Sequence, residues 1–444
     1  MKTKNLIVFS ILFLISTSFF IYQHASGISW DFASYVLNAK YLFDDGLYFE
    51  WLRAPLPSLM LGSFSIFGWK SSEYLFIIFV SLIHLLASIK LSKNFKFNPI
   101  LFYSLTLIPA MLNFSFLAGT ELLSLALLEF GISYIFEKNN KKAGILSGLF
   151  FGLAITARYT NLLFIPLILF HKKAKKILIS ALFLAVPLIP WMIYNYVQTG
   201  NPLMSIGSSL LINISQRSGD FGFFMHSIEF LRYYVLFLVG GIIVSKKNAP
   251  FWVMTSFLII SLISFARIPN KEIRYLFNLI LPCAYFSYAF FRSFGKKVLV
   301  ISCMILVILS FGIAFSHPMK LTSISLYENV SNYLDKGCMY MSNMWVPLNY
   351  LGYNSEPAPV EFNKEKIPKF IDDGKRIIYF KKMLNSDYFY VENKSFMKSF
   401  PVLNETEKYL ILGKEDCKEP SLFIENYDVD NCRIFLPNFL KRFC

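Results

Sequence analysis

Acidic residues are scarce in this chain, and so is charge of any kind. Of 444 residues only 28 are Asp or Glu, against 43 Lys or Arg, and charged residues make up 16% while 55% are hydrophobic. A soluble domain carries roughly a quarter charged residues, so a water-exposed globular chain is excluded and the solvent for most of the polypeptide is lipid. Histidine occurs five times, scattered, and the six cysteines include no Cys-X-X-Cys pair, which removes the usual zinc spacings. A nucleotide P-loop, a dinucleotide glycine pattern and His-Glu-X-X-His are also missing, so the common soluble nucleotide and metalloprotease chemistries have no motif to rest on. The net charge of +15 would suit nucleic acid, but its distribution does not. Residues 317–444 hold 17 basic and 17 acidic residues, whereas 26 basic and 11 acidic residues precede them. The whole excess lies in the apolar part, where it is a topology signal, and nucleic acid is set aside as a partner.

What is there is a series of runs nearly free of charge, most of them near the length that crosses about 30 Å of hydrocarbon, with shorter runs accepted where the alternation of loop charge requires them. They fall at Asn5–Tyr22, Tyr74–Leu91, Pro99–Leu112, Thr120–Phe136, Ala143–Ala157, Asn161–Phe170, Ile177–Tyr194, Phe230–Val244, Phe251–Phe265, Tyr275–Phe291 and Val298–Phe315. The pattern predicts an α-helical polytopic membrane protein with about eleven transmembrane helices. Pro55–Trp69 is apolar but short. If it does not cross, the basic clusters at Lys90/Lys93/Lys96, Lys138/Lys141/Lys142, Lys172/Lys173/Lys175/Lys176, Lys246/Lys247 and Arg292/Lys296/Lys297 all lie inside, as the positive-inside rule requires. That choice puts the N-terminus in, the C-terminus out, and Pro55–Trp69 on the outer face as a juxtamembrane or re-entrant segment.

Two domains follow: 1–316 in the membrane, with outer loops at 23–73 and 196–227, and an extracytoplasmic tail, 317–444. Short apolar runs at Cys338–Met341, Arg376–Phe380, Tyr409–Leu412 and Arg433–Leu436, with a helical pattern over Ser325–Lys336, predict a small α/β tail domain. Cys338, Cys417, Cys432 and Cys444 lie in it and allow three disulfide pairings, or four free thiols.

On this topology the chemistry-bearing residues collect on the outer side. Phe32, Val36, Ala39 and Phe43 recur at helical spacing, predicting an amphipathic helix in the membrane interface that starts at Asp31. Asp31 is read either as its N-cap or as a carboxylate placed to take a proton or hold a metal. Arg53, beside Pro55 and Pro57, suits a lipid phosphate or snorkels to headgroups. Glu121 opens an apolar span, where an acid is costly unless it faces protein or water; helix capping behind Thr120 is the other reading. Arg158 lies between two spans, and Arg267, Lys271, Glu272 and Arg274 crowd one short outer link, a set of donors suited to an anionic phosphate.

Four stretches carry a resemblance: Ser29-Trp-Asp-Phe-Ala-Ser-Tyr35 with Asn38-Ala-Lys-Tyr-Leu42, Arg53-Ala-Pro-Leu56, Pro190-Trp-Met-Ile-Tyr-Asn-Tyr-Val-Gln-Thr-Gly-Asn-Pro-Leu203, and Asn270-Lys-Glu-Ile-Arg-Tyr-Leu276 followed by Leu281-Pro282. With the span pattern and the outer tail, the sequence resembles the GT-C superfamily of polyprenyl-phosphate-sugar glycosyltransferases, in the branch of protein O-mannosyltransferases and lipid A aminoarabinose transferases. The resemblance implies a GT-C fold and an inverting transfer of a sugar from a polyprenyl-phosphate-linked donor to a hydroxyl of a protein, lipid or cell-surface glycan. The site would face the outside of a plasma-membrane protein. It assigns Asp31 and Glu121 as catalytic, Arg53, Arg158, Lys271 and Arg274 to the donor phosphate, and Tyr35, Glu272 and Tyr275 to positioning the acceptor. A divalent metal ion at Asp31 and Glu121 is one role it leaves open, with no other cofactor implied. Ala54 replaces the usual first proline of the second motif, and Phe32 stands where many relatives carry a second acid. Residues 196–227, with Gln216-Arg-Ser-Gly-Asp220, read as a lid over this face. A non-catalytic relative within a glycosylation complex and a lipid or glycan transporter are the competing classes; the second would place its ionisable groups near the bilayer midplane.

Overall fold

The computed structural model describes residues 3–137, 140–215, 228–267, 272–318, 321, 327 and 330–425. In chain order its elements are α1 (Thr3–Ala25), α2 (Trp30–Phe43), β1 (Tyr48–Glu50), α3 (Pro55–Phe64), α4 (Trp69–Asn94), α5 (Pro99–Thr106), α6 (Pro109–Phe114), α7 (Glu121–Ile135), α8 (Asn140–Ala157), α9 (Ala174–Ala185), α10 (Ile189–Thr199), α11 (Met204–Ser215), α12 (Tyr234–Val244), α13 (Ala249–Arg267), α14 (Ile280–Ser293) and α15 (Lys296–Ser316). After these come β2 (Tyr340–Ser342), α16 (Trp345–Tyr350), β3 (Ser355–Pro357), α17 (Ile367–Asp372), β4 (Arg376–Phe380), α18 (Lys394–Met397), β5 (Val402–Glu405), β6 (Tyr409–Leu412) and β7 (Phe423–Glu425). They fall into two compact units, one from Met1–Gln23 and Trp51–Met319, the other from His24–Glu50 and Lys320–Asn426.

In the helical unit, Ile7–Ala25, Trp69–Asn94, Ala174–Thr199, Ala249–Ala266 and Lys296–Ser316 are long and apolar enough to cross a membrane, and the protein is a multi-pass membrane protein. Prolines reshape several predicted spans. Residues 99–112 are two helices, because Pro109 has no N–H to continue α5 and instead opens α6 at its first position. The stretch predicted over Asn161–Phe170 is a 3-10 helix, Tyr159–Phe170, that contains Pro166. Pro187 and Pro190 separate α9 from α10. Pro55–Trp69 becomes α3 and one 3-10 turn, about 20 Å of rise, and Gly68, at φ +91°, turns the chain directly into α4.

Small residues let the helices close up. Gly144, Gly148 and Gly152 form one face of α8 against α9, where a Cβ on Gly148 would stand 2.2 Å from the Ser180 carbonyl oxygen and one on Gly152 2.3 Å from that of Leu184. Ser180 Oγ adds a bond to the Gly144 carbonyl, 2.9 Å. This is the small-residue packing that lipid-immersed helices use in place of a hydrophobic driving force. Gly148→Ala is therefore expected to cost about 1–3 kcal/mol, lowering the melting temperature in detergent, whereas Gly312→Ala, with open space around it, leaves it unchanged.

The second unit holds a five-stranded sheet in the order β3-β2-β4-β6-β5, parallel among β3, β2 and β4 and antiparallel from β4 to β5, and a separate parallel pair, β1 with β7. Cys338 and Cys417 are disulfide-bonded with Cα atoms 5.4 Å apart; Cys432, Cys444 and Arg433–Leu436 lie outside the described residues. Residues 24–50, assigned from sequence to the membrane domain's outer loop, belong to this unit because they supply part of its core. Ile28, Ala33, Leu37 and Tyr48 cluster with Tyr340, Val346, Leu348 and Ile378. The helix predicted to lie in a lipid interface is thus buried by protein: Phe32, Val36 and Ala39 are at most 1% exposed, and only Phe43 is open.

Candidate active site

In the helical unit the site begins with the loop before α7. Glu121 is the first residue of α7 and fully buried. Its Oε2 accepts from the Ala118 and Thr120 amides, at 3.2 and 3.3 Å, and Leu122 N–H bonds back to the Ser115 carbonyl, 3.2 Å. The loop curls around the carboxylate at the positive end of the helix, so Glu121 satisfies amides as a cap does and still presents charge. Its Oε1 lies 3.7 Å from Arg158 Nη1. Breaking such a buried pair by removing one partner costs about 3–5 kcal/mol.

Arg158 ends α8's connection and precedes the 3-10 helix Tyr159–Phe170. Its guanidinium sits 5.7 Å from the Tyr275 ring centre, and that of Arg274 5.6 Å from the same ring, so two cations lie within cation–π range of one aromatic ring. Arg274 is ion-paired to Glu272. The short 3-10 helix Ile273–Leu279 that carries Arg274 and Tyr275 packs on α6 and α7. A cavity of ≈ 20 Å³ between Arg158, Thr160, Tyr275 and Asn278 has room for about one water. The structure thus gathers Glu121, Arg158, Glu272, Arg274 and Tyr275. Arg53 is half-buried, and its neighbour Ala54, the cap residue of α3, packs on Ile155 and Tyr159 either side of Arg158. Lys271 and 216–227 of the predicted lid lie outside the described residues, and only the helical backbone of Arg267 is described.

The Pro190–Leu203 motif is a brace. Trp191 Nε1 donates to Tyr159 OH, 3.0 Å, and Ser205 Oγ, 3.1 Å. Asn195 bonds the Pro202 carbonyl, 3.2 Å, and accepts from Ser205 Oγ, 2.9 Å, around Gly200 at φ +74°. It fixes the residue that follows Arg158.

Asp31 and Tyr35 belong to the other unit. Ser29, and not Asp31, is the N-cap of α2; Asp31 is the second helical residue, half-buried, and Tyr35 is buried one turn on. The helix is pinned by Asn38, whose amide exchanges two 2.9 Å bonds with the Glu50 backbone, and by Ser34 Oγ on Glu50 Oε1, 2.8 Å. Tyr48 OH lies 2.5 Å from both Glu50 Oε1 and Glu425 Oε2. Burial first, then the two carboxylates, push its phenol well above 10.0. Sequence reasoning passed over this cluster, and also the buried Glu129 with His84; an acid inside the otherwise uncharged run 122–135 was the available signal.

One Glu121 carboxylate oxygen is taken by two amides and the other faces a guanidinium, and among the described residues no three His, Cys, Asp or Glu side chains form a metal-binding group.

No family model matches the sequence, and no curated protein does. Solved structures do resemble it. ArnT from Cupriavidus metallidurans, bound to undecaprenyl phosphate, superposes with a TM-score of 0.67 at 11% identity, over 93% of this chain and 98% of that one. The oligosaccharyltransferase AglB of Archaeoglobus fulgidus, in complex with an inhibitory peptide and a dolichol-phosphate, gives 0.59 at 11% identity over 93% and 74%. The Archaeoglobus fulgidus oligosaccharyltransferase with Zn and sulfate gives 0.51 at 10% identity over 91% and 73%. Both proteins are GT-C superfamily members, and at such identity the likeness is one of fold: this chain has the GT-C fold.

Proposed function

We propose that the protein is an inverting glycosyltransferase that moves a sugar from a polyprenyl-phosphate-linked donor to an acceptor hydroxyl on the extracytoplasmic side. The observation that carries this is the Glu121–Arg158 pair joined through Tyr275 to Arg274, two preorganised guanidiniums each held by a carboxylate, in a fold whose solved examples hold undecaprenyl phosphate and dolichol-phosphate. Asp31 takes the proton of the acceptor hydroxyl as its oxygen attacks the anomeric carbon. The bond from that carbon to the phosphate oxygen breaks, and polyprenyl phosphate departs. Arg53, Arg158, Lys271 and Arg274 offset the charge that develops on the leaving phosphate, the electrostatic contribution that dominates sites of this kind. Glu121 holds the Arg158 guanidinium, and Glu272, Tyr275 and Tyr35 position the acceptor. No step is routed through a metal. The outer placement draws support from the basic clusters between spans and from the Cys338–Cys417 disulfide, which persists in an oxidising compartment.

The test is release of polyprenyl phosphate by the purified full chain from a panel of radiolabelled polyprenyl-phosphate sugars, with an extract of cell-surface acceptors. Acceptor-dependent release from one donor is the expected result and names the sugar. Absence of release from every donor would overturn the reading and favour a non-catalytic role.

A further inference from the structure

Glu129 is fully buried in the middle of α7, and His84 is 2% exposed on α4. An ionisable pair buried between apolar helices of a membrane protein is costly to keep. Glu129 Oε2 lies 3.4 Å from His84 Nδ1 and accepts from Ser88 Oγ at 3.0 Å, one helical turn further along α4. His84 Nε2 is 3.2 Å from Thr106 Oγ1 at the end of α5. The threonine's own proton goes to the Tyr103 carbonyl, 2.7 Å, so Nε2 is the donor and Nδ1 is left facing the carboxylate. The imidazole therefore lies between the two, hydrogen-bonded to Thr106 and 3.4 Å from the Glu129 carboxylate. Those two residues are the feet of a hairpin: from Thr106 the chain runs through α6 and the loop 115–120 to Glu121 at the start of α7, then eight residues, about 12 Å of helix, down to Glu129.

We propose that His84 and Glu129 form a positioning clasp for the Glu121–Arg158 pair, closing the base of the hairpin whose tip presents Glu121. The clasp fixes the register of α7 against α4 and the entry of α6 at once, so slack at either foot moves the Glu121 carboxylate relative to Arg158. The link to catalysis rests on the transferase reading above; the link to Glu121 geometry does not.

The experiment reads both in the full chain. Backbone hydrogen exchange over residues 114–122 reports the Ala118 and Thr120 amides that Glu121 holds, without turnover. In Glu129→Gln and in His84→Asn, exchange there is expected to rise about tenfold, and the double variant to match the singles because one unit is lost. Initial rates are expected to show kcat down about tenfold with the donor KM within about twofold of wild type, the signature of misplacement rather than lost binding. Ser88→Ala, which keeps the His84–Glu129 contact, should move both readouts the same way by less. Exchange that rises only around 84–88 and 125–133, with 114–122 at the wild-type rate, would overturn the proposal and leave the pair a local packing feature. If wild type releases no polyprenyl phosphate, the exchange readout still decides the clasp, so the two failures are distinguishable.

Discussion

Arg158→Ala is expected to lower kcat/KM for polyprenyl phosphate release by about 10²–10³, the loss that follows removal of one preorganised donor to a developing anion. The same substitution also leaves the buried Glu121 carboxylate without its guanidinium, 3.7 Å away in the native protein, at a cost of about 3–5 kcal/mol. Rate and stability must therefore be separated. Glu121→Gln combined with Arg158→Ala removes both charges, so thermal stability in detergent should recover towards wild type while the rate stays low. Arg158→Lys should recover little, since a compact ammonium cannot both reach Glu121 and lie over the Tyr275 ring as the planar guanidinium does. Recovery of rate together with stability in the charge-free double variant would mean that Arg158 serves folding alone.

Asp31→Asn is expected to reduce turnover by about 10²–10⁴, the range for loss of a general base, with the fold intact. The structure makes this variant informative. Ser29 is the N-cap residue of α2 and Asp31 lies in its first turn, where a charge is worth about 0.3–1 kcal/mol, and the helix is also pinned through Ala33, Leu37 and Asn38. An asparagine removes the proton acceptor while keeping the size of the side chain. Initial rates of release with circular dichroism as the folding control decide the matter, and a loss of less than about tenfold would reduce Asp31 to its helix-dipole role.

Part of the candidate site was legible in the sequence. Glu121 was singled out as an acid opening an apolar span and Arg158 as a cation between two spans, and the structure brings the two together. The cluster at 272–275 was singled out by its density of charge, and it joins the same group. The run 99–112 was read as one continuous span because hydropathy counts apolar residues and overlooks that a proline in the run, here Pro109, interrupts the hydrogen-bond ladder. The His84–Glu129 pair escaped notice because the two lie 45 residues apart in sequence, although a lone acid in the run 122–135 marked one of them.

By itself the sequence determined the solvent, since 55% hydrophobic and 16% charged residues cannot be folded against water. It also marked long apolar helices and three strands of the tail, β2, β4 and β6, because these depend on periodicity and composition within a single stretch of chain. Only the tertiary structure decided that residues 24–50 build the core of the tail unit, that Cys338 pairs with Cys417, and which acid meets which base. Those outcomes depend on packing between segments far apart in the chain, where shape, close approach at glycine and the cost of an unpaired buried charge choose among partners that the sequence leaves equivalent.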